Sequence, residues 1–204
     1  MRPRLHSGRH RDRLVGLRSK QLWGQVEASQ IVEFAVALPL LVVFVVGIFD
    51  FSGAFNVKQK LANAAREGAR AAASGPANDL TNAATSNGVP ASVNDAFWVI
   101  DNYLNSELIN DCGISSTPTS NTGLIWIYSA AGNGCPGNGL KITINRGYNT
   151  HTTVGGNTIY IVETRVDVTY TYKWHFNSVI TLLVPATYNS TTDVAASAFA
   201  LNES

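Results

Sequence analysis

The sequence has little of what catalytic chemistry usually requires. Its 204 residues include four histidines, His6, His10, His151 and His175, and two cysteines, Cys112 and Cys135. No Gly-X-Ser-X-Gly elbow, Gly-Lys-Ser/Thr phosphate loop or His-Glu-X-X-His pair is present. Two cysteines without a neighbouring histidine or a third cysteine make a poor zinc site. His175 falls on the polar side of a strand pattern and reads as a solvated residue. His151 falls in a Gly/Asn/Thr-rich stretch with no carboxylate at a telling spacing. The expectation is therefore a protein that is not an enzyme and that takes no metal and no cofactor.

Charge is missing from one place in particular. Residues 34–49 read FAVALPLLVVFVVGIF, sixteen positions without an ionisable group. Such a run rises about 24 Å as a helix, short of a hydrocarbon core of about 30 Å. Ile31, Val32 and residues 50–55 complete a span, so the membrane part is set at about 31–55. Glu33 and Asp50 then flank it near opposite faces of the bilayer, where a carboxylate costs far less than at its centre. Pro39 removes one backbone donor and should bend the helix, which membrane helices tolerate.

The overall net charge of +1 hides an asymmetry. Arg2, Arg4, Arg9, Arg11, Arg13, Arg18 and Lys20 stand against Asp12 and Glu27 in residues 1–28, a net of +5. The remainder carries −4. A basic block is sometimes a nucleic-acid arm. Here it runs directly into an apolar helix, which favours a cytoplasmic basic end under the positive-inside rule, and no nucleic acid. The alternative is a cleavable secretory signal ending near Ser52-Gly53-Ala54. Against it, the apolar core is long, Asp50 precedes the supposed cut, and strong helix formers continue through Lys58 to Ala73.

Ile31 to about Ser74 thus reads as one helix of roughly 44 residues and some 65 Å, stopped by Gly75-Pro76. Its outer half is rich in small side chains. Ala65, Ala69 and Ala73 recur every four residues, with Gly68 and Ala72 beside them. Such a face lets another helix approach closely; the simpler reading is that alanine merely favours helix. Glu67 lies three residues from Arg70 and supports it weakly.

These residues together resemble the TadE-like proteins, pseudopilins and pilin-like components of tight-adherence pilus systems. The elements are Val32-Glu33-Phe34, Leu38-Pro39-Leu40, Asp50 and Ala64-Ala65-Arg66-Glu67-Gly68-Ala69-Arg70. They occupy about 45 residues, less than a quarter of the chain, and their order and spacing carry the likeness. The resemblance implies a bacterial cytoplasmic-membrane protein, single-pass, with its N-terminus cytoplasmic and its bulk periplasmic or extracellular. It implies partners that include other pilin-like subunits through the N-terminal helix, a prepilin peptidase and the pilus assembly machinery. It also implies a cut between Ala28 and Ser29, making Glu33 the fifth mature residue; Ala28 stands where Gly is usual. Cutting there creates an ammonium group one turn from Glu33, or on a neighbouring subunit. A carboxylate in an apolar bundle needs such a partner. The other reading has Glu33 facing headgroups.

The domain organisation follows: a basic leader 1–28, an N-terminal helix 29–75, a polar linker 76–90 and an exported α+β domain 91–204. In the last, Ser92 and Asp95 suggest a capping box. Phe97, Ile100, Leu104 and Leu108 follow helical spacing, which predicts an amphipathic helix over 93–109. Residues 123–128 and 140–145 read as strands about a Gly/Asn-rich turn. Thr164 to Phe176 alternates cleanly, with Val166, Val168, Tyr170, Tyr172, Trp174 and Phe176 on one side, as a half-buried antiparallel strand does. Val179 to Val184 suggests a short helix near the membrane, and 186–201 a last strand. The cysteines enclose 22 residues; a bridge there would add roughly 3 kcal/mol, the alternative being two buried thiols. The fold class is α+β: a long N-terminal transmembrane helix followed by a pilin-like domain with an antiparallel sheet. The competing function is an uncut anchored module whose sheet binds a protein or carbohydrate, for which Trp126 and Tyr128 would be the exposed aromatics.

Overall fold

A computed structural model describes residues 16–80, 88–176 and 190–203, with side chains from Ser29 onward. The expected helix at Val179–Val184 and most of the basic leader lie outside the described residues. The chain divides into two units, 1–48 and 49–204.

Helix α1 covers Gly16–Ser74 and contributes to both units. It starts earlier than the Ile31 expected, because leucine, lysine, glutamine and glutamate between Leu17 and Glu27 are all good helix formers. It passes through Pro39 as a single helix. Proline there forgoes only the bond to the Ala35 carbonyl. Within the first unit the side chains from Ser29 to Ile48 are largely exposed, Ile31, Phe34, Phe44 and Ile48 among them. This helix is long and apolar enough to cross a membrane.

The second unit packs the last half of α1 and a second helix, α2 (Ala91–Ser106), against one face of a five-stranded antiparallel sheet. A 3-10 turn, Ala77–Leu80, follows α1. The strands are β1 (Ser120–Thr122), β2 (Ile125–Ala130), β3 (Leu140–Val154), β4 (Asn157–Lys173) and β5 (Thr191–Leu201), hydrogen-bonded in sequence order. Helix and sheet thus follow the expected α+β plan. The register aligns the buried residues in rows across the sheet. Trp126 faces Ile144, Ile144 faces Val166, and Val166 faces Ala198. The next row runs Tyr128, Ile142, Val168, Ala196. Each row tapers from an aromatic ring to a methyl group, so the core is thick over β2 and thin over β5.

Three local expectations need correction. Helix α2 has Pro90 at its N-cap and no side-chain cap; the Ser92 amide donates to Asp79 Oδ2 at 2.9 Å, so no Ser92–Asp95 box forms. Leu108 is not a core residue. It lies past the end of α2 at φ 59° and is 93% exposed, while Ile109 turns inward and donates its amide to the Leu104 carbonyl. His151 is in a strand, paired with Tyr160. It belongs to a hairpin, Tyr148–Val154 against Asn157–Glu163, beyond a bulge after Asn145; apart from Glu163, which also faces Leu201, it pairs only with itself. Its tip, Gly155-Gly156, has φ of 60° and 84°, the double left-handed turn that a two-residue hairpin requires.

Candidate assembly helix

Ala28 and Ser29 lie inside α1, with helix on both sides of the bond between them. Glu33, one turn on, is exposed. The residues from Phe49 onward belong to the second unit, which the expected membrane part, 31–55, overlaps.

Asp50 is only 3% exposed. Its carboxylate accepts the His175 amide at 2.9 Å and the Phe176 amide at 3.1 Å, groups left over where β4 ends at Lys173. His175 Nδ1 lies 3.6 Å from Asp50 Oδ1 and 2.9 Å from the Tyr172 hydroxyl. His175 is therefore exposed but tethered, rather than free in solvent as its place in the pattern implied. Burial, and then the Asp50 charge, push the Tyr172 phenol above its ordinary range. A Cβ at Gly53 would stand 2.5 Å from that hydroxyl. Asp50 and Gly53 thus form one docking surface for the end of β4.

The small-residue face lies further along the helix. Ala64, Ala65, Gly68, Ala69, Ala72 and Ala73 are buried. Ala64, Ala65, Ala69 and Ala72 share a core with Val93, Ala96, Phe97 and Ile100 of α2. A Cβ on Gly68 would clash with Ile100 Cγ1 and Cδ1. The face does admit a close helix, as the alanine spacing suggested, but the helix is the chain's own α2. Arg66, Glu67 and Arg70 point outward, and the Arg70–Glu67 pair at 3.6 Å is exposed. Such a pair adds a few tenths of a kcal/mol at most. Lys60 reaches the other way: its Nζ donates to the Glu107 carbonyl at 2.7 Å, placing a cation at the C-terminus of α2.

The C-terminal end of α1 has a cap that the sequence gave no sign of. Arg146 lies in the bulge of β3 and is 1% exposed. Its guanidinium donates to the carbonyls of Ala72 and Gly75, and at 3.4 Å to Thr164 Oγ1. Last-turn carbonyls have no partners within a helix and carry its negative dipole end, so a cation serves here without a salt-bridged carboxylate. Burial lowers the Arg146 pKa, and the Asp79 charge partly opposes that. The end of the chain joins the same cluster. Asn202 Nδ2 donates to the Arg146 carbonyl, and the Glu203 amide to that of Ala73. No spacing rule links residue 146 to residue 72, which is why only the fold reveals the pair.

Cys112 and Cys135 are bonded, with Cα atoms 5.4 Å apart. Trp126 and Tyr128 are fully buried, and burial pushes the Tyr128 phenol up to about 12. The Phe97 and Tyr128 rings pack at 4.6 Å. Neither aromatic is available as a carbohydrate platform. Among the described residues no group of three or more His, Cys, Asp and Glu side chains could hold a metal ion.

The family model described as TadE-like protein matches residues 28–70. Residues 28–70 are thus similar to TadE-like proteins. The match begins at the residue before the expected cut and ends at the last arginine of the Ala-Ala-Arg-Glu-Gly-Ala-Arg segment, so it lies wholly within α1. No curated protein and no solved structure matches the chain.

Proposed function

We propose that the protein is a pseudopilin or minor pilin-like component of a tight-adherence pilus assembly system, made as a single-pass membrane precursor and matured by a prepilin peptidase between Ala28 and Ser29. The observation that carries the reading is the TadE-like match over 28–70 on a helix whose first part is apolar and exposed. A helix with that exterior needs lipid or other helices around it. Since α2 fills the alanine face, contact with neighbouring subunits falls to residues 31–49. Glu33 there would meet the ammonium group of Ser29, on its own or a neighbouring chain, and set the register of packed helices. Energy for leaving the membrane would come from a separate ATPase.

The continuity of α1 through the scissile bond bears on processing. A peptidase needs an extended segment in its cleft, so residues around Ala28 must unwind before the bond is cut. The anchored, uncleaved module is the reading this feature favours, and one measurement separates the two. Mass spectrometry of protein purified from native membranes is expected to give Ser29 as the mature N-terminus, and this start should be lost when the prepilin peptidase is deleted. An intact N-terminus in the wild-type host would leave an anchored module; a start near Phe55 would mean a secreted protein.

A further inference from the structure

The folded unit begins with an apolar foot. Phe51 and Phe55 of α1 are 69% and 53% exposed, although the helix side bearing Asp50, Ala54 and Leu61 is buried. Phe176 is 39% exposed and is held beside the helix by the hydrogen bond its backbone amide donates to Asp50. Two exposed lysines, Lys58 and Lys173, stand near these rings in the chain.

Two observations say what covers the foot. The chain enters it directly from the apolar run 34–49, which at about 24 Å falls about 6 Å short of a hydrocarbon core of about 30 Å. The charge that should end the span at residue 50 is not presented to the surroundings, because Asp50 is spent on two backbone amides inside the unit. Phe51 and Phe55 lie about 3 and 9 Å beyond Phe49 along the helix, spanning the missing length. Apolar side chains such as Phe on one side with lysines on the other are the composition of segments that lie at the boundary between acyl chains and headgroups.

We infer that the foot of the folded unit, Phe51, Phe55 and Phe176 with Lys58 and Lys173, is a membrane-interface contact that seats the domain in the headgroup region of the outer leaflet before assembly. This rests on reading residues 34–49 as a membrane span. The patch completes a hydrophobic length that the helix alone does not reach, and Asp50 makes this possible by turning the boundary charge inward.

The test uses the full chain in nanodiscs of phosphatidylethanolamine and phosphatidylglycerol. Spin labels are placed singly at Val42→Cys, Phe51→Cys, Phe55→Cys, Phe176→Cys and Arg66→Cys, with the native disulfide intact. Relative accessibility to oxygen and to a water-soluble nickel chelate reports depth. The expected result is a deep label at 42, an aqueous label at 66, and labels at 51, 55 and 176 favouring oxygen within about 5–10 Å of the headgroup boundary. The label at 55 should be shallower than that at 51 by about 6 Å. A deep label at 42 with aqueous labels at 55 and 176 would overturn the foot while keeping the span. An aqueous label at 42 would overturn the span and the foot with it. Labels at 55 and 176 shielded from both reagents, and released on dilution into excess lipid, would assign the patch to a second copy of the chain and overturn the lipid contact.

Discussion

At Gly68 the absence of one methyl group decides how close α2 can come to α1. Alanine would add about 1 kcal/mol of helix propensity, yet its Cβ would collide with Ile100. Overpacking of this kind costs about 1–3 kcal/mol, so Gly68→Ala is expected to lower the melting temperature despite the gain in propensity. Ile100→Ala in the same chain should relieve part of the loss, which a double-mutant cycle would read as a coupling between them. At Arg146, replacement by Met keeps the volume and takes the guanidinium donors away from the carbonyls of Ala72 and Gly75, of which Ala72 keeps the Gly75 amide. The cost should be about 2–3 kcal/mol, seen as a drop of some 4–12 °C in thermal unfolding for a unit of this size. Asp101 behaves oppositely. Burial first, then the Asp111 charge, raise its pKa above the ordinary 3.8. The folded state therefore holds that proton more tightly than the unfolded chain. Its contribution is present below about pH 3.8 and is lost as pH rises through the raised value. Asp101→Asn is thus expected to stabilise the protein at neutral pH and to lose that advantage in acid, as urea titrations at both pH values would show. Gly68 was visible in the sequence as part of a small face; Arg146 was not, because the helix-end carbonyls it caps lie more than 70 positions away.

Among the elements, β4 was the most legible, since strict alternation from Val166 to Tyr172 leaves one way to seat the strand. Helix α2 was legible in its middle and not at its ends. The apolar spacing that included Leu108 fails because the chain turns left-handed there and hands the core to Ile109. The hairpin between Tyr148 and Glu163 was not foreseen, because a two-sided exposed ribbon has no period that burial imposes. The disulfide was foreseen as one of two outcomes. It ties the loop after α2 to the turn before β3, and neither segment has regular structure of its own. Cys112→Ser with Cys135→Ser is expected to cost roughly 3 kcal/mol with the sheet signal in circular dichroism retained below the transition.

For the molecule as a whole, the division at residue 48 separates, on the function proposed above, the part that would assemble from the part that folds. The first unit has an exposed apolar exterior; the second has its own core. Glu33→Ala is therefore expected to leave the melting temperature of the folded unit within about 1 °C of wild type while reducing recovery of the protein in sheared filament fractions. Equal recovery would remove Glu33 from the assembly contact. This partition was legible in outline, since the apolar run, the leader charge and the signature all stand in the sequence. Its boundary was not. Asp50 was read as a membrane-edge carboxylate, and only the backbone amides of His175 and Phe176 reveal its other use.

Mechanics gives the clamp at the end of α1 a further meaning. A load entering the folded unit along α1 meets the Asp50 attachments first and those of Arg146 and Glu203 some 22 residues later. Bonds spread along a helix and crossing to β3, to β5 and to the end of β4 share an axial pull in shear and do not open one at a time. Removing only one end of that series would convert a joint that fails all at once into one that peels.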